Sequence, residues 1–414
     1  MAIDFTLSQQ QRMLQSKSRE FAAEVLAPAK DAEMQSTPEQ RFLATRPAYE
    51  AMVKEGFLRR CIPSATGGDS AGLVDLAIMI EELYSGNASL TLTMLGTVLG
   101  LLPILRAGTQ EQRDRLLSPF LKTTGAPLAA FCSTEPGGSA NAASPPPGDG
   151  VRTLASHDGK NWVINGEKKW VSSATGWDRQ GADLLCVVCR TDPGALPESG
   201  ISIIAVECPT PGLALERAID SVGHRAHLLP QFRLADVRAP ANNLIGEEGG
   251  GLAVAAASFV GMGALVGIFG VALIRAAFDF TLQFARTERR GAADPIIEHP
   301  VVGYALADAK TVLDSTRFLS WAACHAVDTR AAAAAELDLQ AKIYGSEAAV
   351  RVITDLMRVV GVDSYDHNLP LAQLLQDALA LPVFGGGNVG VRRRQLHTIM
   401  KQPDYDPLAT CSAA

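Results

Sequence analysis

Residues 131–141 read FCSTEPGGSAN and follow an apolar run. Three hydroxyl side chains lie in this segment, at Ser133, Thr134 and Ser139. Beside backbone N–H groups, such hydroxyls suit the polar edge of a flat heterocycle or a phosphate. Gly137 and Gly138 can adopt positive φ and let a ligand come close to the backbone. A turn of this composition also occurs without any ligand, so the segment alone leaves both interpretations open.

A second segment, residues 158–170, reads DGKNWVINGEKKW. Asp158-Gly159 stands between two runs of alternating polarity, at 151–157 and 161–165, which is a strong signal for a β-hairpin. The hairpin leads into a further strand and a turn at Trp170. The two segments together predict a binding turn supported by a sheet.

Length, composition and charge set limits on function. The 414 residues are 47% hydrophobic and 20% charged, which predicts two or three globular domains. A net charge of −7 and the lack of a lysine-rich tail give no general attraction for nucleic acid or for anionic membranes. Seven scattered cysteines without a secretory leader predict a reducing, cytoplasmic location. Cys186 and Cys189 lie in an apolar run without a second pair, which favours core packing over a metal site.

One long uncharged run, residues 249–274, has the length to span a bilayer. Its glycines and alanines are typical of a helix packed closely on all sides, and no aromatic belt or basic flank accompanies it. The sequence therefore predicts a buried helix rather than a membrane segment.

Periodicity divides the chain into three parts. Residues 1–123 are predicted to be helical, with capping boxes at Ser8/Gln11, Thr37/Gln40 and Thr109/Gln112. Glu81 and Glu82 close one of these helices, and a solvated or capping role is expected for both. Residues 124–243 change to a period of two and predict a small β domain, a barrel or a sandwich, with strands at 151–157, 161–165, 183–189, 201–207, 213–217 and 231–234.

Residues 244–414 return to long helices, predicted at 252–286, 300–328, 333–360 and 371–381. Long apolar helices with short connections predict an antiparallel four-helix bundle, and the surplus of apolar residues predicts contact with other subunits. The part ends with PVFGGGNVGVRRR at 382–394. A glycine run that opens a helix presents free N–H groups to a carbonyl or phosphate, whereas the arginines could equally form a solvated helical turn.

The two binding segments and the helix–sheet–helix order resemble the acyl-CoA dehydrogenase superfamily. Within it the chain is most similar to the nitroalkane oxidase group, on motifs such as RFLATRP at 41–47, GEKKW at 166–170, IIEH at 296–299 and GGNVGVRRRQ at 386–395. The resemblance covers nearly the whole chain. It implies an α+β fold and an FAD-dependent oxidoreductase that acts on a small molecule and assembles as a homotetramer through its C-terminal bundle.

The resemblance also implies where FAD is bound. It places Phe131, Ser133 and Thr134 at the flavin ring, Gly138 and Ser139 at the pyrophosphate, and Trp170, Val171 and Ser172 at the flavin edge. It places Arg290 at the FAD phosphates across a subunit interface, and Arg358, Val360 and Gly361 at the adenosine end. The remaining implied contacts are Phe384, Gly386 and Gly387. A glutamine that often assists the arginine is replaced here by Pro300.

The catalytic positions depart from the family pattern. The superfamily removes a proton beside a thioester or nitro group with a carboxylate of tuned pKa. That carboxylate is an aspartate or glutamate in relatives, and the matching position here is Gly385. Met262 stands where the accompanying serine or an alternative base is expected. Arg392 matches the retained active-site arginine.

Three hypotheses follow from the missing base. In the first, another residue supplies it, with His224, His227 and Asp363 as candidates, and the enzyme oxidises an acyl thioester or nitroalkane at its α-carbon. In the second, the protein is a monooxygenase whose flavin is reduced by an external donor such as a flavin reductase. In the third, it binds FAD or a thioester without turnover. The sequence does not distinguish free, CoA-bound and carrier-bound substrates.

Overall fold

The chain begins with a group of helices. The computed structural model describes residues 5–145 and 148–411. The helices before the first strand are α1 (Gln9–Phe21), α2 (Pro38–Ala44), α3 (Arg46–Lys54), α4 (Phe57–Arg60), α5 (Leu73–Gly86), α6 (Ala88–Ala107) and α7 (Gln110–Leu116). The three predicted capping boxes are present at the starts of α1, α2 and α7. In each box, the hydroxyl of the first residue accepts a hydrogen bond from the backbone N–H of the glutamine three positions later. The glutamine side-chain oxygen in turn accepts from the backbone N–H of the first residue. The local sequence therefore determines where these helices begin.

Eight strands follow and form one mixed sheet. They are β1 (Ala129–Cys132), β2 (Leu154–His157), β3 (Asn161–Lys169), β4 (Leu184–Arg190), β5 (Ile201–Glu207), β6 (Leu213–Ala218), β7 (Pro230–Pro240) and β8 (Leu244–Ile245), with the short helix α8 (Pro197–Gly200) before β5. Their order is β6-β7-β3-β2-β4-β5-β8, and β1 lies parallel to β4. The hairpin predicted around Asp158-Gly159 is β2–β3, with His157 opposite Trp162. All seven residues of β4 are buried, as the apolar run predicted.

The C-terminal part is a bundle of long helices. Its helices are α9 (Gly251–Ser258), α10 (Met262–Thr287), α11 (Pro300–Asp328), α12 (Ala334–Val360), α13 (Pro370–Ala380) and α14 (Arg393–Met400). The prediction of one continuous helix at 252–286 was wrong. Gly261 adopts φ +85° and separates α9 from α10, and the Asp338 carboxylate accepts the N–H of Ala264 at 2.8 Å to cap the new helix. The α+β fold with a helical bundle at its C-terminal end is confirmed.

The bundle is packed through glycines. A Cβ at Gly270 would lie 2.3 Å from the Gly345 carbonyl oxygen, and one at Gly263 would lie 2.5 Å from that of Asp338. At such distances a Cβ atom would overlap the neighbouring backbone, so only glycine fits at these positions. The backbones of α10 and α12 are therefore in direct contact. Ala88–Ala107 and Gly251–Thr287 are long and apolar enough to cross a membrane, and 78% of the apolar window of each is buried within the protein. This burial agrees with the prediction of a closely packed helix at 249–274.

Charged residues join the N-terminal helices to the bundle. Glu81 and Glu82 are only 3% and 2% exposed. Arg275 donates to Glu82 at 2.8 Å, and Arg317 donates to Glu81 at 2.9 Å. The prediction of solvated or capping glutamates was therefore wrong, because these carboxylates compensate arginines of α10 and α11 in the interior.

Helix α6 lies directly on the sheet. A Cβ at Gly100 would lie 2.4 Å from the Ala130 backbone nitrogen in β1, and one at Gly96 would lie 2.6 Å from the Ser172 Cβ. The two glycines stand one turn apart on the same face of the helix. They bring α6 against the residues just before the first segment that the sequence singled out and just after the second.

Candidate functional site

The ends of β1 and β3 lie side by side and carry the first group of predicted residues. The Lys169 N–H donates to the Thr134 carbonyl at 3.0 Å, which places Ser133 and Thr134 next to the turn at Trp170. Within the described residues, the hydroxyls of Ser133 and Thr134 make no hydrogen bond. Trp170 adopts φ +64° and is 49% exposed. This edge of the sheet therefore offers unpaired hydroxyls beside an exposed aromatic ring.

A buried ion pair holds this arrangement in place. The Lys168 ammonium donates to the Glu135 carboxylate at 2.8 Å and to the Val188 carbonyl at 2.7 Å. The same carboxylate accepts the hydroxyl of Thr153 at 2.7 Å. Burial alone would raise the pKa of Glu135, but Lys168 and Thr153 hold it below its ordinary value. Glu135 is therefore ionised at neutral pH and ties the turn at 133–139 to the sheet.

The turn itself leaves space for a ligand. The Gly138 N–H donates to the Glu135 carbonyl at 2.8 Å, and Gly138 adopts φ +84°. A Cβ at Gly138 would meet no heavy atom within 4 Å. Ser139 follows it on the exposed side of the turn. A phosphate or carbonyl could thus approach the backbone here, as the sequence predicted.

The closing glycine segment faces the end of β1. Arg392 donates twice to the Gly385 carbonyl, from Nε at 3.0 Å and from Nη2 at 2.6 Å. The Arg392 guanidinium lies 5.7 Å from the Phe259 ring centre, and that ring packs edge-on against Phe131 at 5.6 Å. The structure therefore brings Phe131, Gly385 and Arg392 together around Phe259.

Two further contacts fix the segment. Lys342 is fully buried and donates to the Asn388 side-chain oxygen and the Pro382 carbonyl. Burial, together with the nearby Arg392 charge, lowers the pKa of Lys342 to about 7. Phe384 lies 6.4 Å from Phe269 of α10, ring centre to ring centre. Phe384, Gly386 and Gly387 are thus held between α10 and α12.

Position 385 combines an open space with a buried cation. Gly385 adopts φ +59°, and a Cβ there would meet no heavy atom within 4 Å. Arg392 is 7% exposed, and burial lowers its pKa while the Asp338 charge opposes that shift. Across residues 5–145 and 148–411, no carboxylate reaches ion-pair distance of Arg392; its remaining partner is the Gln395 amide oxygen at 3.0 Å. The site therefore presents a positive charge without an anion.

The proposed substitute bases are otherwise engaged. His224 and His227 are each 2% exposed, and burial lowers their pKa values to about 4 and about 3. The nitrogen Nε2 of His224 bonds to the Tyr84 hydroxyl. Asp363 forms an ion pair with Arg290 at 2.8 Å. The two histidines lie on the loop between β6 and β7, as expected, but they are buried and neutral, which fits a structural role better than that of a base.

Asp338 is the buried carboxylate that sequence reasoning missed. Burial raises its pKa to about 6, and hydrogen bonds from the backbone at Ala264, Gly263 and Gly261 oppose that rise. Met262 is the first residue of α10, so the predicted alternative base position lies beside this cap. The sequence does show an aspartate within an apolar helical stretch. Its capping role could not be predicted, because it depends on contact with α10, which is distant in sequence.

The second group of predicted residues lies at the far ends of α10 and α12. Arg290 donates to the Val360 carbonyl, and its guanidinium is 4.0 Å from where a Gly361 Cβ would stand. Gly361 adopts φ +76°. Arg358 is turned away and pairs with Asp355 at 2.8 Å. Arg290, Val360 and Gly361 therefore form one cluster, and their contact with FAD stays a prediction.

These residues fit FAD. The unpaired hydroxyls of Ser133 and Thr134 and the half-exposed Trp170 suit a polar-edged planar ring, and the open backbone at Gly138 suits a phosphate. Arg290 supplies a guanidinium of the kind that pairs with phosphates. When bound, FAD supplies a two-electron acceptor, which no side chain can provide.

Fold and site define a flavin-dependent dehydrogenase class, and comparison with known proteins agrees. Family models for the N-terminal, middle and C-terminal domains of acyl-CoA dehydrogenases match residues 8–124, 130–237 and 249–400. The chain belongs to the acyl-CoA dehydrogenase family and is an FAD-dependent oxidoreductase.

Nitroalkane oxidases are among its most similar relatives. The Podospora anserina enzyme is 41% identical, with 98% of each chain covered. The Fusarium oxysporum enzyme is 35% identical over 98% of this chain and 97% of its own. The solved structure of the Podospora anserina nitroalkane oxidase superimposes with a TM-score of 0.94 at 39% identity and covers 99% of both chains.

Proposed function

We propose that this FAD-dependent oxidoreductase oxidises a small nitroalkane-like substrate or acyl thioester at its α-carbon, and that it takes a nitroalkane in its already ionised form, the nitronate. The similarity to nitroalkane oxidases supports the substrate class. Nitroalkane oxidase structures have been solved with 1-nitrooctane and with 1-nitrohexane. The ionised form is supported by one observation, the buried and unpaired guanidinium of Arg392 beside the open space at Gly385.

The spacing of the active-site residues supports the loss of the base. One solved nitroalkane oxidase structure addresses the roles of an aspartate and an arginine in the reaction. These two residues are seven positions apart in that enzyme's sequence. Gly385 and Arg392 are also seven positions apart. This equal spacing supports the proposal that the arginine is retained and that glycine stands at the position of the aspartate. Losing a general base costs roughly a hundredfold to ten-thousandfold in rate on a neutral carbon acid.

An ionised substrate removes the need for that base. A nitronate already carries the electron pair on its α-carbon system, so no proton has to be abstracted in the site. Its oxygens carry the negative charge, and a guanidinium binds such oxygens with two charge-assisted hydrogen bonds. Arg392 donates to the Gly385 carbonyl from Nε and Nη2 and to the Gln395 amide oxygen from Nη1, which orients the guanidinium without neutralising it. Burial in a site of low polarity strengthens that attraction.

The test compares neutral and ionised forms of one substrate. The purified yellow protein is mixed anaerobically with preformed nitronate, with the matching neutral nitroalkane and with short acyl-CoAs, while flavin absorbance is followed. We expect rapid bleaching by the nitronate and bleaching at least a hundredfold slower by the neutral nitroalkane. Equal rates for the two forms would show that another base operates and would overturn the ionised-substrate proposal.

A second candidate function is monooxygenation. It is favoured by the same vacancy at Gly385, because attack by flavin-activated oxygen on a substrate needs no α-proton abstraction. The partner would be an external reductant such as a flavin reductase. Bleaching by NADH, NADPH or a reductase alone, with oxygen incorporated into product when air returns, would establish it. Purified protein that takes up no FAD would contradict both functions and leave a binding role without turnover.

A further inference from the structure

A second buried cation lies behind the closing glycine segment. Lys342 on α12 is fully buried, and in the described chain no carboxylate lies at ion-pair distance from its amine. The amine donates to the Asn388 side-chain oxygen at 2.5 Å and, more weakly, to the Pro382 carbonyl at 3.5 Å. A buried charge with only neutral partners is unfavourable. The charge state of Lys342 should therefore depend on what surrounds it.

Asn388 connects this lysine to the segment that carries Arg392. The Asn388 amide N–H donates to the Glu347 carboxylate at 3.0 Å, so the amide oxygen is the end that remains for Lys342. Glu347 already forms an ion pair with Arg393 at 2.7 Å. It reaches Lys342 only through the amide. Arg392 follows Asn388 by four positions, and its positive charge acts on Lys342.

The other helices around Lys342 add no counter-ion here. In this region α10 meets α12 through Gly267, and α11 meets it through Thr316. The turn after α13 supplies only the carbonyl described above. Asp338, near the start of α12, acts on the charge of Arg392 and accepts a backbone N–H of α10. The two cations thus face each other with only partial compensation.

Only one of these two cations can give up its charge. An arginine guanidinium stays protonated in proteins, whereas a buried lysine can release its proton. Burial and the Arg392 charge lower the pKa of Lys342 to about 7. An anion bound at Arg392 would offset the repulsion between the two cations and would favour the ammonium form of Lys342.

We infer that Lys342 is a second cation of the anion site at Arg392 and gains a proton from solvent when an anion binds there. The proton adds to the lone pair of Nζ, and no other bond changes. Because linkage is reciprocal, protonated Lys342 strengthens anion binding in turn. Anion affinity is therefore highest at low pH and falls as the pH rises and Lys342 becomes neutral. The inference rests on the anion site of the proposed function but not on the anion being a nitronate.

The experiment measures proton uptake directly. Sodium formate is added to the FAD-loaded protein in unbuffered solution held at pH 7.5, and the acid needed to keep the pH constant is recorded. If an anion strengthens proton binding about tenfold, we expect uptake of about half a proton per bound formate. The formate Kd, followed by flavin absorbance, should rise about fivefold from pH 7 to pH 9. Asp338 is largely ionised across this range, because its pKa is about 6.

Lys342→Gln is the decisive variant, because it keeps a donor for the Asn388 oxygen but cannot take up a proton. We expect no proton uptake and a formate Kd that stays constant from pH 7 to pH 9. Lys310→Gln, at a surface ion pair with Asp314 on α11, is the matched control and should behave as the native protein does. Lys342→Met gives the same test if Lys342→Gln does not fold.

The outcomes separate this inference from the proposed function. Formate binding without proton uptake in the native protein, or equal uptake in Lys342→Gln, would overturn the inference and leave the proposed function intact. Proton uptake with formate, together with equal flavin bleaching by nitronate and neutral nitroalkane, would contradict the ionised-substrate proposal and support the inference. Protein that binds neither formate nor nitronate would contradict both.

Discussion

At the scale of single residues, position 385 is proposed to determine which chemistry the site can perform. Its backbone carbonyl holds Arg392, while the place of its side chain is open. A carboxylate there would serve as a base and would also neutralise the arginine. Glycine does neither, so the site keeps its positive charge for the substrate. Under this proposal, the absence of one side chain changes both the proton transfer and the electrostatics.

Restoring a carboxylate should restore a base. Gly385→Asp meets no steric obstacle within 4 Å of its Cβ, and aspartate tolerates the left-handed φ of +59° better than most residues. We expect kcat/KM on a neutral nitroalkane to rise roughly a hundredfold or more. Gly385→Asn is the control, because it has the same size and backbone preference but cannot accept the proton. An equal gain in both variants would contradict the assignment of this position.

Arg392 should matter for anionic substrates above all. Arg392→Gln removes the only guanidinium that contacts the Gly385 carbonyl in the described chain. We expect kcat/KM for a nitronate to fall at least tenfold, the equivalent of one lost charge-assisted hydrogen bond. Arg393→Gln is the control, since Arg393 is half exposed and pairs with Glu347 on the surface. Steady-state kinetics that show equal losses in the two variants would argue against an anion site.

Residue types alone could not assign the roles of several titratable side chains. Glu81, Glu82, His224 and His227 look like surface or loop residues in sequence, yet all four are buried. Their partners are remote along the chain, as with Tyr84 and His224 at 140 positions. Gly385 and Arg392 could be singled out because their motif is local, and the structure places them in direct contact.

At the scale of elements, one buried ion pair joins the ends of two strands. Lys168 on β3 and Glu135 after β1 are 0% and 7% exposed in their side chains. Their contact aligns Ser133 and Thr134 with Trp170. The same ion pair therefore contributes to stability and to the shape of the proposed flavin site.

Removing the lysine of this ion pair should lower the free energy of unfolding substantially. Lys168→Met leaves the Glu135 carboxylate buried without its cation, and we expect the free energy of unfolding to fall by about 3–5 kcal/mol at pH 7. Lys17→Met, at a half-exposed pair with Glu55, should change it by less than about 1 kcal/mol. Urea denaturation of both variants measures the difference. A loss in Lys168→Met no larger than in the control would refute the role of the pair.

The effect of this substitution should depend on pH. The pKa of Glu135 is lowered in the folded protein, so its stabilising contribution is present above the unfolded value of 4.5 and is lost as pH falls through the lowered folded pKa. In Lys168→Met, burial without the ammonium should raise that pKa instead. The difference in unfolding free energy between the native protein and Lys168→Met should therefore become smaller as the pH falls from 7 toward 3.

The sequence predicted most elements but not how they meet. Alternating polarity around Asp158-Gly159 and the capping boxes are local signals, and both proved correct. The break at Gly261 was missed, because it depends on Asp338 of another helix. The parallel pairing of β1 with β4 was also beyond local patterns, since its partners are 55 positions apart.

At the scale of the whole molecule, the helical bundle is proposed to assemble four copies of the chain. Large apolar side chains remain exposed on its helices and connecting turns, among them Val301, Tyr304, Val362, Tyr365 and Val389. The acyl-CoA dehydrogenase resemblance implies a homotetramer in which Arg290 reaches the FAD of a neighbouring subunit. The division at 1–123, 124–243 and 244–414 likewise stays a prediction.

Assembly and cofactor retention should therefore be coupled. Tyr304→Glu places a charge on the exposed apolar surface of α11, where the native side chain is 70% exposed in a single chain. We expect light scattering to show about four chains per particle for the native protein and fewer for this variant, with FAD content reduced in parallel. Glu298→Gln, on the short turn before α11, serves as a control for a mild change nearby. Dissociation without any loss of FAD would contradict a shared cofactor site.

The open space at Gly385 should also make the reaction rate sensitive to small anions in the buffer. A formate or acetate ion has the size of the missing carboxylate, and Arg392 would attract it into the same space. Such an ion could act as a diffusible base, so that turnover of a neutral substrate would rise with the concentration and the basicity of the added acid. The choice of buffer would then become a kinetic variable, and chemical rescue would offer a way to titrate the lost proton transfer without altering the chain.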